Sequence, residues 1–136
     1  MRIYGIGTDI ANVNRIKKLL KKAKFIKKIF NNIEVKKCNK LANRANCFAK
    51  RFAAKEAFSK ALGTGIAKGI NFNEIIINNM DSGKPHITLM GETKKKVGKI
   101  IKKKNNIFLT LSDDNPFAVA SVIITIWNKK NLLIRL

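Results

Sequence analysis

One segment limits the fold more than any other. Residues 43–62 contain neither Gly nor Pro, are rich in good helix formers, and stop at Gly63-Thr64-Gly65. Phe48, Phe52, Ala53, Ala57, Phe58, Ala61 and Leu62 fall almost all the way round such a helix. A helix apolar on nearly every side is largely buried.

The rest of the chain reads as strands and shorter helices around it. Residues 3–10 form a short buried strand containing Gly5 and Gly7. Asn12 or Asn14 caps a Lys-rich amphipathic helix carrying Ile16, Leu19, Leu20 and Ala23. Phe25, Ile26, Ile29 and Phe30 continue the helical spacing, and 33–41 reads as a short helix. Strands follow at 73–79 and 86–90, joined by the turn Asp81-Ser82-Gly83-Lys84-Pro85. A Lys-rich helix at about 91–104 precedes strands 107–112 and 117–127, which flank a turn at Asp113-Asp114-Asn115-Pro116. Strands and helices mixed without strict alternation predict an α+β fold, an antiparallel sheet with one long buried helix. Residues 1–128 read as a single domain and 129–136 as a short tail.

Composition narrows the function classes. A formal net charge of +21 draws acidic partners and phosphate-bearing substrates, and admits a basic nucleic-acid-binding module as an alternative. An AT-rich coding sequence would also produce this excess of Lys beside Ile and Asn. Cys38 and Cys47 read as reduced thiols of a cytoplasmic protein, too few and too close in sequence to staple a fold. His86 is the only His, so no zinc site is legible. Asp9 interrupts the first apolar run and argues against a signal peptide. The most apolar stretch, 117–127, is too short for a membrane helix.

Scarcity of acid makes the chemistry-bearing residues easy to find. Of the eight acidic residues, Glu34, Glu74, Asp81, Glu92 and Asp114 read as surface, turn or helix-cap groups. Asp9, Glu56 and Asp113 sit among apolar neighbours, where a carboxylate is expensive unless paired or bound to a cation. Asp9 is either the cap of the next helix or a hard oxygen ligand for a divalent cation. Glu56, flanked by Lys55, either forms a simple pair with Lys60 one turn on, or with Lys60 suits magnesium and a phosphate together. Gly63-Thr64-Gly65 is a helix C-cap or a set of backbone N–H groups open to phosphate oxygens. Asp113 is a general base, a partner of the metal through water, or an ordinary turn residue.

Taken together these stretches resemble the holo-acyl-carrier-protein synthases of the 4'-phosphopantetheinyl transferase superfamily. Gly5-Ile6-Gly7-Thr8-Asp9-Ile10 followed by Arg15-Ile16 is similar to their opening motif, and the run from Phe48 through Lys55-Glu56-Ala57 to Gly63-Thr64-Gly65-Ile66 to their most specific one. Gly83-Lys84-Pro85, Leu111-Ser112-Asp113 and Ala118-Val119-Ala120 match later landmarks, so the likeness spans nearly the whole chain in order.

The resemblance implies a homotrimer with active sites at subunit interfaces. It implies transfer of 4'-phosphopantetheine from coenzyme A to a serine of an acidic acyl carrier protein, in support of fatty-acid synthesis. Asp9 and Glu56 are then the Mg²⁺ ligands, and Lys60 contacts the phosphates at the reacting centre. Arg51, Lys60, Gly63, Thr64, Gly65 and Lys84 match the coenzyme A site, and the helix from Arg15, with Lys18 and Lys22, the face that meets the carrier. Some members carry His and others Asp where this chain has Asp113, which leaves the base open between Asp113 and a water on the metal. A folded but non-catalytic subunit is a further alternative.

Overall fold

The computed structural model describes residues 1–64 and 69–128. In chain order it has β1 (Arg2–Asn12), α1 (Val13–Leu19), α2 (Ala23–Ile29), α3 (Asn32–Asn39), α4 (Arg44–Leu62) and a 3-10 turn (Phe72–Glu74). Then come β2 (Ile75–Asn79), β3 (Pro85–Leu89), α5 (Gly91–Ile100), β4 (Lys104–Asp114) and β5 (Phe117–Trp127). The α+β expectation holds. An antiparallel sheet of order β1-β5-β4 carries α4 on one face, and β2-β3 form a separate antiparallel hairpin.

Small residues decide how closely helix and sheet approach. A side-chain carbon at Gly5 would land on the carbonyl oxygen of Ala61, and one at Gly7 on that of Ala57. Ala118 and Ala120 on β5 and Ala53, Ala57 and Ala61 on α4 are buried as well. Side chains alternate along a strand, so Asp9, two residues past Gly7, shares the face pressed on α4. Asn12, not Asp9, caps α1: its side chain accepts from the N–H groups of Asn14 and Arg15. Asp9 is therefore free of the capping role.

Three sequence expectations are corrected. The helix expected at about 91–104 ends at Ile100, because Lys104 already pairs with Trp127 in β4–β5. Asp113 and Asp114 belong to β4, opposite Ala118 and Phe117, so the turn is confined to Asn115 and Pro116. Cys38 and Cys47 form a disulfide rather than standing as reduced thiols. The turn between α3 and α4 brings their Cα atoms to 5.4 Å, which nine residues of sequence separation did not reveal.

Glu34 takes the helix-cap role among the alternatives the sequence left open, but it is 1% exposed and does more than cap. Its carboxylate does complete a capping box on α3, accepting the Asn31 N–H at 3.0 Å. It also accepts from the Ile77 N–H at 3.1 Å and from Lys55 Nζ at 2.7 Å. Lys55 donates further to the carbonyls of Phe72 and Ile75. The pair thus ties α3, α4, the 3-10 turn and β2 together through one fully satisfied polar centre.

Glu74 plays a similar part for α5. Met90, at the helix start, makes no side-chain cap, and Glu74 substitutes from the 3-10 turn, accepting from the N–H groups of Glu92 and Thr93 and the Thr93 hydroxyl. Hydrogen bonds, foremost from Asn71, hold its carboxyl below its ordinary value of 4.5. Stability from such a group is present above the unfolded pKa and is lost as pH falls through the folded one. Glu74→Gln is expected to cost about 1 kcal/mol at pH 7. In urea titrations the gap between variant and wild type should narrow as pH drops below about 4.5; a constant gap would contradict the capping role.

Candidate active site

The Gly5–Gly7 seating of β1 delivers Asp9 to the C-terminal half of α4. Lys60 Nζ donates to Asp9 Oδ1 at 2.9 Å and to the Thr8 carbonyl at 3.0 Å. Glu56 lies one turn before Lys60, on the same face of α4. Burial raises the Glu56 pKa, the charge of Asp9 raises it further, and Lys60 and Arg15 pull the other way. Asp9 from β1 thus meets Lys60 from α4, and Glu56 feels the charges of both and of Arg15 on α1. Beside Glu56 opens a cleft of ≈ 670 Å³, lined by Ile29, Phe52, Ile70 and Phe72 among others.

Two carboxylates driven together and partly desolvated form a donor set that a cation would relieve. Among the described residues no group of three His, Cys, Asp or Glu side chains stands ready to hold a metal. A cation such as Mg²⁺ takes one or two carboxylates and keeps positions for water and substrate phosphates, so two acids would be enough protein donors for it.

The other expected site residues are distributed as follows. Lys55, which flanks Glu56 in sequence, is fully buried against Glu34. Arg51 is 4% exposed and meets the hairpin through Asn79, whose Nδ2 donates to the Gly83 carbonyl at 2.9 Å, next to Lys84. Gly63 is the C-cap of α4, at φ 86°, with open space around its Cα. Thr64 follows it, and Gly65 lies outside the described residues. Arg15 and Lys18 lie on α1, and Lys22 at the start of α2, all exposed.

Asp113 does not join Asp9 and Glu56 within one chain. Its Oδ2 accepts from Asn46 Nδ2 at 2.7 Å, and Lys50 Nζ lies 3.3 Å from Oδ1, both near the other end of α4. Asn46's hydrogen bond, followed by the charge of Lys50, holds its carboxyl below the usual range despite partial burial.

Comparison with known proteins decides the family. The family model described as "4'-phosphopantetheinyl transferase superfamily" matches residues 5–120. The chain belongs to this superfamily. It is 44% identical over 125 residues to a holo-[acyl-carrier-protein] synthase of Pelagibacter ubique, covering 91% of this chain and 98% of that protein. The synthase structure from Neisseria meningitidis superposes with a TM-score of 0.81 at 36% identity, covering 91% of this chain and 99% of that one. The Helicobacter pylori synthase in complex with coenzyme A gives a TM-score of 0.75 at 33% identity, over 88% of this chain and 99% of that one. Superfamily membership gives the carboxylate pair a setting in which a diphosphate is the substrate. Sequence reasoning missed Glu34, Asn46 and Asn79; only Glu34 had a local signal, the Asn31-x-x-Glu34 capping pattern.

Proposed function

We propose that the chain transfers 4'-phosphopantetheine from coenzyme A to a serine hydroxyl of an apo-acyl carrier protein. The observation that carries this reading is the facing pair Asp9 and Glu56 with Lys60 between strand and helix, in a superfamily named for that transfer. The serine oxygen forms a bond to the pantetheine-side phosphorus and the bridging P–O bond breaks. Adenosine 3',5'-bisphosphate leaves, and the serine proton passes to a base. Such a step needs positioning and charge neutralisation more than covalent help.

Asp9 and Glu56 would hold Mg²⁺, which when bound neutralises charge on the diphosphate oxygens. Lys60, half exposed and steadied by Asp9 and the Thr8 carbonyl, offers its ammonium to the leaving phosphate. Asp113, with its pKa held low, accepts a proton poorly near neutral pH and serves better as a fixed acceptor that orients the serine hydroxyl. Arg15, Lys18 and Lys22 give α1 and α2 a positive surface beside Glu56, suited to an acidic carrier and weakened by salt.

Asp113 would reach a reacting centre only from a neighbouring subunit, and the sheet supplies a surface for one. The face of β1-β5-β4 away from α4 carries Ile6, Ile123 and Phe108 in one row and Ile10 and Val119 in another. Between them lie Thr8, Ser121 and Thr110, with Thr8 and Ser121 hydroxyls 3.1 Å apart. Ile6 is 61% and Phe108 43% exposed, an apolar patch that a monomer rarely leaves open. A homotrimer closing over this face is expected by light scattering, and Ile6→Glu with Ile123→Glu should give monomers of low activity. A monomeric active wild type would refute it.

A cytoplasmic setting is part of this proposed reading; no helix among the described residues is long and apolar enough to cross a membrane. A nucleic-acid-binding module would leave the carboxylate pair without a role. Mass spectrometry of apo-carrier incubated with the protein, coenzyme A and Mg²⁺ tests the whole reading. A phosphopantetheine mass gain is expected, and an unmodified carrier would favour a non-catalytic subunit.

A further inference from the structure

The two cysteines of the chain, Cys38 and Cys47, are joined to each other and tie the last turn of α3 to the start of α4. Such bonds persist in oxidising compartments. Where thiols are kept reduced, disulfides are usually transient and serve redox sensing or catalysis. Coenzyme A is itself a thiol, so the transfer reading brings this bond together with the group that opens it. What the bond touches gives it a readout. From one turn further along α4, Arg51 Nη1 donates to Cys47 Sγ at 3.1 Å and to the Cys47 carbonyl at 3.3 Å. This guanidinium is buried, and among the described residues the carboxylate ion pairs belong to Lys50, Lys55, Lys60 and Lys95. Glu34, whose charge Arg51 feels, is committed to Lys55. Cys47 Sγ is therefore the neighbour whose charge can change, neutral in the disulfide and negative as a thiolate, the form a guanidinium favours. Both sulfurs are buried, but residues 39–43 between them are exposed, and local opening of this turn admits a small thiol.

We propose that Cys38 and Cys47 are a redox-active pair, opened by low-molecular-weight thiols and closed by their disulfides, whose reduction weakens the hold of Arg51 on an anionic ligand. The proposal rests on the transfer reading above, in which Arg51 serves the coenzyme A site. An external thiolate attacks Cys38 Sγ and bonds to it as the Cys38–Cys47 bond breaks, and Cys47 leaves as a thiolate against Arg51. A second external thiolate attacks the first external sulfur, so Cys38 leaves in turn and takes up a proton. Two external thiols are thereby oxidised to one disulfide, the protein pair gains the two electrons, and the second thiol proton passes to solvent. The Cys47 thiolate then neutralises the guanidinium, which holds phosphate oxygens less firmly. Reoxidation by a low-molecular-weight disulfide runs the same steps backward.

Calorimetry with adenosine 3',5'-bisphosphate, on wild type equilibrated with reduced or with oxidised glutathione, reads the effect without carrier or turnover. Alkylation in denaturant followed by mass spectrometry counts the free thiols in each sample. Reduced protein is expected to carry two alkyl groups and to bind the nucleotide about tenfold more weakly than oxidised protein, which carries none. In reduced glutathione, Cys38→Ser keeps the Cys47 thiolate and should bind as weakly as reduced wild type. Cys47→Ser has no thiolate to set against Arg51 and should bind as tightly as oxidised wild type. A wild type that keeps its disulfide in reduced glutathione, or binds equally in both states, would overturn the proposal. So would two variants weakened alike, because the bond would then act only by holding α3 to α4. If the wild type transfers nothing to the carrier yet its nucleotide affinity follows the thiol state, the transfer reading falls and the redox pair stands. If transfer occurs and affinity ignores the thiol state, only the redox pair falls.

Discussion

Replacing Lys55 with Met is expected to destabilise the fold by about 3–5 kcal/mol, measured as the shift in denaturant midpoint at constant slope. Lys55 and Glu34 are 0% and 1% exposed, so removing the ammonium strands a carboxylate away from water. Burial draws the Lys55 pKa down to about 8, with Glu34 limiting the fall, so the side chain is charged at neutral pH. All three of its protons have acceptors: Glu34 Oε1 and the carbonyls of Phe72 and Ile75. The double variant Lys55→Met with Glu34→Leu should recover only part of the loss. It removes the lone charge, but it leaves the Ile77 and Asn31 N–H groups without their acceptor and takes the Lys55 donor from the Phe72 and Ile75 carbonyls. A single variant within 1 kcal/mol of wild type would mean that the pair is not buried as described.

Glu56→Gln is expected to act in opposite directions on stability and activity. The folded-state pKa of Glu56 lies above its ordinary value of 4.5, first through burial and then through Asp9. A group shifted that way adds stability below its unfolded pKa and loses it as pH rises through the folded one. At pH 7 the ionised carboxylate is thus a cost, and the neutral amide removes it. Tm in chelating buffer should rise, while transfer should fall by about a thousandfold or more. Added Mg²⁺ should raise Tm of the wild type and not of the variant. A variant that loses stability, or keeps its rate, would contradict the ligand role.

Much of this was legible because the deciding signals are local. The Gly5-x-Gly7 spacing, the Gly- and Pro-free run of α4 and the Asp81–Pro85 turn each read out one element, and β1, α4 and the hairpin appear where those signals stand. Asp9 and Glu56 were conspicuous as acids in apolar stretches, and the structure joins Asp9 to Lys60, one turn along α4 from Glu56. Long-range contacts were the illegible part. Glu34 showed its capping pattern, but nothing local said that Lys55 would come down upon it from α4. A lysine at the end of α5 favours helix by propensity, yet Lys104 loses that contest to pairing with Trp127. Asn79 joins Arg51 to the hairpin across 28 residues of sequence, a distance over which no periodicity speaks.

The most direct measurement replaces Mg²⁺ by Mn²⁺ in crystals grown with coenzyme A and locates the anomalous scattering. A single peak bridged by the Asp9 and Glu56 carboxylates and a diphosphate oxygen is expected. A manganese peak away from both side chains, with transfer activity intact in the same preparation, would contradict a cation held between β1 and α4.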